Sequence, residues 1–367
     1  MATMKLGTFM MPLHPPGRTP WQTYAEDREA ILLADQLGYA EALVGEHVTD
    51  LAENVTSCLM FLASLAHETK TIVLGSGTVN MPNSHPAAIA AQVAMLDHLL
   101  KGRFIFGISP GGLMSDAEVF GNFRKDRNAI FLESINMVLD IWAKDAPYEL
   151  QGNFFSVTTK QTMIPEIGQG TIIKPYQKPH PPIVVTAVAP HSKGVTEAAK
   201  RGWTPISANF LLAEWVASHW PKYQEGCVAI GKTPEGKDWR VAKSIFVADD
   251  EKTAREYGHG PKGPYYFYFK QLLRKLVGGG RSNLFKLDQN EPDSSITPDA
   301  ITPKLVIAGT VNSVVEQILA FREKVGPFGT LYYPCHDWVD PKLARRSMQL
   351  MAEQVMPRVN GALKGKA

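Results

Sequence analysis

The sequence has few cysteines, little net charge and no zinc-type ligand spacing. Its 367 residues contain three cysteines and carry a net charge of +2 at pH 7. Cys58, Cys227 and Cys335 are an odd number, widely spaced and without a CxxC motif, which indicates free thiols in a reducing compartment. A near-neutral chain has no overall field that attracts nucleic acid or an anionic membrane. We therefore expect a cytoplasmic protein with no metal site and no nucleic-acid or membrane partner.

The sequence also lacks a long apolar run near its start and a glycine-rich dinucleotide fingerprint. The stretch LGTFMMPL is too short to span a bilayer, and we interpret it as a first strand rather than a signal peptide. The segment around the end of this strand reads FMMPLHPPG, without the GxGxxG pattern of a dinucleotide-binding fold. These absences disfavour a membrane-spanning start and a nicotinamide-binding domain.

Short apolar runs alternate with helical patterns along most of the chain. The eight predicted strands are 5–11, 41–45, 71–77, 103–109, 182–188, 203–208, 239–248 and 330–335. The second helix is predicted at 55–68 and the fourth at 127–143. Eight strand–helix units predict an α/β fold in which a parallel sheet closes into a (β/α)8 TIM barrel. A doubly wound open sheet is the alternative.

Two segments interrupt this alternation. Residues 144–181 and 258–303 carry irregular or polar patterns, and we predict that both are loop insertions in a single domain of 1–367. The second insertion contains one aromatic helical pattern and is a possible lid.

Small and polar residues collect where the predicted strands end. Glu46 and His47 follow the second strand, 77–80 begins at the last residue of the third, and 187–194 begins in the last two residues of the fifth. The catalytic residues of such barrels lie at the C-terminal ends of the strands. The sequence therefore predicts a site at this end of the barrel, and small residues suit a backbone that approaches a flat ligand.

Five motifs in order along the chain resemble the bacterial luciferase-like family of flavin-dependent monooxygenases. They are GEHVTDLAEN, GSGTVNMPNSHP, LDHLLKGRFIFGISPGG, VFG at 119–121, and AAKRGWTPIS. Within that family the sequence is most similar to the branch of diketocamphane and limonene monooxygenases, through its VGEH and PGG strings and the HD pair after the eighth predicted strand.

The resemblance implies a barrel that holds reduced FMN, which reacts with dioxygen to give a C4a-hydroperoxyflavin. One oxygen atom would then enter a small apolar substrate such as a terpenoid or a cyclic ketone, by epoxidation or by Baeyer–Villiger insertion. The resemblance also implies a homodimer formed through helices two and three. A separate flavin reductase is expected as a transient partner, since the sequence has no nicotinamide fingerprint. A deazaflavin-dependent hydride-transfer enzyme and a non-catalytic flavin-binding barrel are the alternatives.

His47 corresponds to the family's catalytic histidine, and Glu46 precedes it at the same strand end. An imidazole titrates near neutral pH, so His47 can give or take a proton during oxygen transfer. We expect Glu46 to orient neighbouring backbone and side chains, because a buried carboxylate needs partners to stay ionised. A histidine with only a structural hydrogen bond is the alternative.

Three residues after the third predicted strand are expected to contact the flavin ring. Gly77 and Thr78 fall where relatives run the backbone beside the flavin N5 edge, often through a non-proline cis peptide bond. A plain β-to-α turn is the alternative, because glycine also serves turns. Asn80 is expected to bond the pyrimidine edge, or to be a turn asparagine.

The FMN phosphate is expected after the fifth predicted strand. Relatives bind it in this loop, where Ser192, Lys193 and Gly194 stand at the predicted start of a helix. Backbone N–H groups, the helix dipole, a hydroxyl and a positive charge suit a phosphate there. Ala187 and Val188 precede these residues and are predicted to contact the same cofactor.

Arg127, at the start of a predicted helix, is a second phosphate candidate or else a solvated side chain. Luciferase proper has an arginine after strand four where this sequence has Pro110. Any contact made by that arginine must be replaced here.

Four residues near strand ends are predicted to line the substrate pocket: Met10, His14, Phe210 and Trp338. Such walls suit an apolar substrate better than a sugar or an anion. Packing in the core is the alternative for the aromatic ones.

Overall fold

The barrel strands form close to the apolar runs that predict them. A computed structural model describes residues 3–365, in which eight parallel strands pair in chain order and form a closed (β/α)8 barrel. Pairing of the eighth strand with the first closes the ring. The strands β1 to β8 are Lys5–Met10, Glu41–Val44, Val73–Ser76, Phe104–Ser109, Ile183–Ala187, Thr204–Ser207, Arg240–Ala242 and Thr330–Cys335.

Helices follow most of the strands. In chain order, α1 to α14 are Pro20–Gln36, Cys58–Ala63, Pro86–Leu99, Met114–Val119, Arg127–Ala143, Lys193–Lys200, Ala213–Ala217, His219–Ala229, Glu251–Gly258, Pro264–Gly278, Pro298–Leu305, Val311–Val325, Pro341–Leu350 and Met356–Gly365. Proline stands in the first turn of α1, α3, α10, α11 and α13, where its missing N–H removes no intrahelical bond. Within residues 3–365, none of these helices combines the length and apolar character that a bilayer crossing needs.

The second helix is shorter than predicted. The pattern predicts 55–68, whereas α2 begins at Cys58, because the Ser57 side chain accepts from the Met60 N–H and caps the helix there. Beyond Ala63 the backbone forms three-residue turns, with the Leu65 N–H bonded to the Leu62 carbonyl at 3.1 Å. The apolar pattern continues through these turns, so periodicity alone overestimates the helix.

The predicted seventh strand, 239–248, divides between two sheets. Its first part is β7, which pairs with β6 and β8. Its second part, Ser244–Val247, pairs in parallel with Val306–Gly309 in a separate two-stranded sheet. Both parts are largely buried, so the apolar run does not show that the pairing partner changes at Lys243.

The two predicted insertions contain regular structure. Residues 144–181 include an antiparallel hairpin of Glu149–Gln151 and Ser156–Thr158. Residues 258–303 include α10, then short 3-10 turns, and most of α11.

The chain divides into two compact units. One is Leu43–Val184, in which all six residues of β4 are buried. Gly107 in β4 is required there, because a Cβ would lie 1.9 Å from the Ser76 carbonyl oxygen. The other unit joins the described residues up to Ala42 with those from Val185 onward, and in it β1 and β8 pair over six residues.

Candidate active site

Glu46 lies shortly after the end of β2, and its hydrogen bonds hold the neighbouring segments in place. Its carboxylate accepts from two backbone N–H groups, those of Cys58 at 3.1 Å and Asn80 at 2.9 Å. The Asn80 side-chain amide also donates to the Glu46 backbone carbonyl at 3.0 Å. Glu46 therefore joins the start of α2 and the segment after β3 to the end of β2. A direct catalytic role of Glu46 stays a prediction.

The His47 imidazole has a carboxylate beside each ring nitrogen. Nδ1 lies 3.1 Å from Oδ2 of Asp116, and Nε2 lies 3.5 Å from Oε2 of Glu53. The histidine side chain is 14% exposed, so it is neither sealed in the core nor fully solvated. Asp116 therefore engages Nδ1, Glu53 lies beside Nε2, and a catalytic role of His47 stays a prediction.

Asp116 is a buried carboxylate with several donors. Oδ1 accepts from the backbone N–H groups of Val48 and Thr49 at 3.2 and 2.9 Å and from the Thr49 hydroxyl at 2.6 Å. Burial alone would raise the pKa of Asp116, but the hydrogen bonds from His47 and Thr49 outweigh burial and lower it to about 2. Asp116 is therefore ionised at neutral pH and orients the histidine.

The backbone after β3 carries a cis peptide bond between Gly77 and Thr78, the feature that the resemblance implied. The Thr78 hydroxyl donates to Ser109 Oγ at 2.7 Å, and the Ser109 hydroxyl donates to Asn80 Oδ1 at 2.9 Å. Both ends of the Asn80 amide thus have partners inside the protein. A flavin contact by Gly77, Thr78 or Asn80 remains a prediction.

Arg127, the first residue of α5, turns toward the loop after β4. Its Nη1 donates to the Gly111 carbonyl at 2.8 Å, and its Nη2 lies 3.5 Å from the Met114 sulfur. The guanidinium is therefore not simply solvated. Its contact is with the PGG segment that stands where luciferase proper has an arginine.

The loop after β5 is fixed through its backbone carbonyls. Arg281 Nη2 donates to the Val188 carbonyl at 2.8 Å, and His219 Nε2 lies 2.8 Å from the Ala189 carbonyl oxygen. Burial lowers the pKa of Arg281, and Arg281 has no carboxylate partner in the part of the chain that the structure describes. Ala187 is buried in an apolar cluster with Tyr223, so its side chain serves packing.

The helix α6 begins in this loop with its N-terminal groups near the surface. Ser192 is the N-cap, but its side chain accepts no capping bond from the helix. Lys193 and Gly194 are exposed. The Ser192 hydroxyl and the first N–H groups of this helix are donors of the kind that suit a phosphate, and Arg281 contacts the same loop at the Val188 carbonyl.

His14 lies in a buried network of charges after β1. Its Nδ1 is 2.6 Å from Asp337 Oδ1, and its Nε2 is 3.2 Å from both oxygens of Asp27. Arg18 bonds Asp337 at 2.6 Å and Glu26 at 2.8 Å. Burial alone would lower the pKa of His14, but hydrogen bonds and attraction from Asp27 and Asp337 outweigh it and raise the pKa to about 9.

His14, Glu26 and Asp27 are close enough to hold a metal ion. This cluster is better suited to a proton than to a metal ion. Both nitrogens of His14 already bond carboxylates, whereas a histidine that binds a metal must offer a nitrogen without a proton.

The other three predicted pocket residues differ in exposure. Met10 and Trp338 are buried, whereas Phe210 is half-buried. A cavity at the C-terminal end of β8 is lined by Phe246, Tyr257, Pro264, Tyr265, Tyr333, Cys335, His336, Asp337, Trp338 and Ala344. Trp338 thus reaches a cavity, and a substrate contact by Met10, His14 or Phe210 stays a prediction.

Comparison with known proteins identifies the family. Residues 4–327 match the family described as luciferase-like monooxygenase. The chain belongs to the luciferase-like monooxygenase family. It is 29% identical over 380 residues to 4-hydroxyprotoasukamycin monooxygenase of Streptomyces nodosus subsp. asukaensis, covering 100% of this chain and 95% of that protein. It is also 29% identical to limonene 1,2-monooxygenase of Rhodococcus erythropolis, covering 97% of this chain and 87% of that protein.

A solved structure supports the same assignment. The oxygenating constituent of 3,6-diketocamphane monooxygenase of Pseudomonas putida, in complex with FMN, superposes with a TM-score of 0.87 at 25% identity. The match covers 98% of this chain and 99% of that one. The predicted family and barrel are therefore confirmed, including the similarity to the diketocamphane and limonene branch.

Sequence reasoning did not identify some residues of this luciferase-like site. Asp116 lies 69 positions from its partner His47, and Arg281 lies 93 positions from Val188. No local spacing connects such pairs. The one available signal for Asp116 was its place shortly after a strand-end PGG segment, where barrel sites gather.

Proposed function

We propose that this protein is the oxygenase of a two-component system that uses reduced FMN and dioxygen to insert one oxygen atom into a small apolar substrate, such as a terpenoid or a cyclic ketone. The His47–Asp116 pair carries the proposal, because it presents an oriented imidazole where the family implies a catalytic one. The FMN complex of the diketocamphane relative supports the cofactor. That relative is described as an oxygenating constituent, which supports a separate reductase.

The FMN phosphate would bind at the start of α6. The Ser192 hydroxyl, the N–H groups of Lys193 and Gly194 and the Lys193 charge would receive it, with Val188 beside them. Arg281 adds a guanidinium whose charge has no carboxylate partner in residues 3–365. These donors fit an anion, and they would replace any contact made by the arginine that luciferase proper carries after strand four.

The ring would face the ends of β2 and β3. Gly77 and Thr78 would contact it through backbone, and Asn80 through its remaining hydrogen-bonding capacity. Arg127 would support the PGG loop through the Gly111 carbonyl rather than reach the phosphate. This assignment changes the predicted role of Arg127 and keeps it in the site.

When bound, reduced FMN would supply the electrons that activate dioxygen. His47 would hold or move a proton at Nε2, while ionised Asp116 keeps Nδ1 engaged. Glu53, 3.5 Å from Nε2, would exchange that proton with the imidazole. Glu46 would keep the surrounding backbone in place through its bonds to Cys58 and Asn80.

An oxygenation assay with and without a reductase tests this function. The purified protein should convert a terpenoid or cyclic ketone only with FMN, NADH and a flavin reductase, and product should take label from ¹⁸O₂. Turnover with NADH and no reductase would contradict the two-component assignment. Hydride transfer to a deazaflavin without oxygen would replace the monooxygenase with a dehydrogenase.

A histidine variant separates catalysis from cofactor storage. His47→Ala should bind reduced FMN with little change and lose most product formation, since one proton-transfer group is worth about 10²–10⁴-fold in rate. His67→Ala, at an exposed histidine on the segment after α2, is the matched control and should keep full activity. Loss of flavin binding alone in His47→Ala would favour a non-catalytic flavin-binding barrel.

The remaining expectations belong to the same proposal. Buried free thiols at Cys58, Cys227 and Cys335 support a reducing, cytoplasmic location.

Met60 of α2 and Met95 of α3 are exposed, which supports a homodimer through these helices. Sedimentation of the wild type against Met60→Glu tests the dimer. If 258–303 is a lid on a single domain, substrate should slow its proteolysis.

A further inference from the structure

The carboxylate of Asp116 belongs to α4, but its hydrogen bonds are to the segment after β2. Oδ1 accepts from the backbone N–H groups of Val48 and Thr49 at 3.2 and 2.9 Å and from the Thr49 hydroxyl at 2.6 Å. Oδ2 lies 3.1 Å from Nδ1 of His47. One oxygen of Asp116 is therefore held by Val48 and Thr49, and the other is left for the imidazole.

The charge of Asp116 determines the direction of these hydrogen bonds. Hydrogen bonds from His47 and Thr49 outweigh burial and lower the pKa of Asp116 to about 2, so the ionised carboxylate can only accept. The Thr49 hydroxyl must donate to Oδ1, and Thr49 Oγ1 then accepts from the Ser115 hydroxyl at 2.7 Å. For the same reason Nδ1 of His47 must carry a proton. A neutral imidazole has a single N–H, so Nε2 of the neutral ring is an acceptor.

The Thr49 hydroxyl also limits rotation of the Asp116 carboxylate. The terminal torsion of an aspartate has a broad, roughly two-fold preference, so packing alone fixes it poorly. Rotation would take Oδ2 away from His47, and the bonds to Oδ1 oppose it. Thr49 is exposed and Asp116 is only 3% exposed, so this hydroxyl lies between a buried anion and solvent. A water molecule there would exchange freely, whereas the hydroxyl is fixed to the chain and also bonded to Ser115.

The second ring nitrogen of His47 has a competing partner. Nε2 lies 3.5 Å from Oε2 of Glu53, a longer distance than the 3.1 Å between Nδ1 and Asp116. If Asp116 turned away, the neutral ring would be free to place its proton on Nε2, beside Glu53. The orientation of Asp116 therefore decides between the two tautomers of His47.

We propose that Thr49 is a positioning residue for the oxygen transfer, because it holds Asp116 so that neutral His47 keeps its proton at Nδ1 and offers Nε2 as an acceptor. A proton that His47 takes up during the reaction would then arrive at Nε2. Thr49 acts through Asp116 and needs no contact with a reacting atom. This inference rests on the proposed monooxygenase function and specifies how its proton-transfer group is oriented.

Nitrogen NMR of ¹⁵N-histidine-labelled protein tests the tautomer without any substrate. Spectra are recorded from pH 6 to 10, and the His47 signals are identified by their absence from His47→Ala. In the wild type the neutral ring should be protonated at Nδ1 and bare at Nε2. Thr49→Val removes the hydroxyl and keeps the side-chain shape, so it should shift the tautomer ratio about fivefold toward Nε2–H.

Three outcomes of this experiment would overturn the proposal. One is a wild-type neutral ring with its proton on Nε2. Another is a ring that stays doubly protonated at pH 10, because its Nε2 would have no lone pair to offer. The third is an unchanged tautomer ratio in Thr49→Val.

Oxygenation kinetics separate positioning from packing. Thr49→Val should lower kcat about fivefold and change its pH profile, with KM and FMN affinity nearly unchanged. Thr49→Ser, which keeps the hydroxyl, should restore most of the rate and the wild-type tautomer. Thr171→Val, at an exposed threonine of the 144–181 segment, is the matched control.

The kinetic outcomes also distinguish this inference from the proposed function. Equal losses of kcat in Thr49→Val and Thr49→Ser would overturn the role of the hydroxyl. A tautomer shift in Thr49→Val, combined with no oxygenation by the wild type, would support the role of Thr49 and contradict the proposed activity.

Discussion

Replacement of His14 by glutamine tests the buried charge network at the end of β1. His14 sits between Asp27 and Asp337, with Arg18 and Glu26 completing the network. The folded protein holds its pKa at about 9, against 6.5 for an ordinary histidine. His14 is only 2% exposed, so solvent weakens these interactions little. His14→Gln keeps an N–H donor and removes the charge.

The sign of the effect on the free energy of unfolding depends on whether the folded or the unfolded protein binds the His14 proton more tightly. Because the folded-state pKa is raised, protonation of His14 contributes its full stability below pH 6.5, and this contribution is lost as pH rises through about 9. At about 1.36 kcal/mol per pKa unit, the difference from 6.5 corresponds to roughly 3 kcal/mol. Wild type should therefore be more stable than His14→Gln near pH 6, and the gap should narrow by roughly 3 kcal/mol near pH 10.

Urea unfolding followed by tryptophan fluorescence at pH 6, 8 and 10 measures this gap. The subtraction of variant from wild type removes the titration of other groups that both proteins share. His67→Gln, at an exposed histidine, is the matched control for replacing a histidine by glutamine. A constant gap for His14→Gln would refute the reasoning, because the pKa of His14 would then be the same in the folded and the unfolded protein.

Three further predictions concern single side chains. Asp116→Asn should lower oxygenation at least tenfold and alter its pH profile while leaving FMN affinity unchanged; stopped-flow kinetics that match wild type would contradict its positioning role. Arg281→Gln should weaken FMN binding about tenfold in a fluorescence titration and leave the affinity for riboflavin unchanged. Arg274→Gln, at an exposed arginine, is the control. An equal loss of affinity for both flavins would exclude a phosphate contact. Burial lowers the pKa of Lys243 to about 7, so Lys243→Met should raise the free energy of unfolding near pH 6 by a few kcal/mol in urea. This gain should fade as pH rises from 7 toward 10.5. A gain independent of pH would show that the amine is not buried in its charged form.

The barrel was predictable because its strands are buried on both faces. β4 and β8 have all six residues buried, so each reads as a continuous apolar run that survives without knowledge of its neighbours. Arg127–Ala143 was predictable to the residue because Asp126 caps it and a helical period follows. The division of 239–248 was not, because both halves are largely buried and their pairing partners differ.

The site was predictable where a strand end supplies it and not where a distant contact does. Glu46 and His47 follow a predicted strand and Gly77 is the last residue of another, so the fold class alone places them at the C-terminal end of the barrel. The charge state of His14 depends on Asp337, 323 positions away, and no spacing in the sequence encodes that contact. From the sequence alone, a histidine after β1 could line a pocket or belong to an ion network.

The hydrogen-bond partners of three histidines differ in a way that the sequence does not show. His14 has a carboxylate at each nitrogen and is driven toward the charged form, whereas His336 has one hydroxyl partner and is driven toward the neutral form. His47 has one carboxylate at 3.1 Å and another at 3.5 Å, with partial exposure. A group that must exchange a proton with a ligand needs contact with the ligand as well as an orienting partner. Of the three, His47 alone combines partial exposure with an oriented Nδ1, which is why the proposed proton transfer is assigned to it.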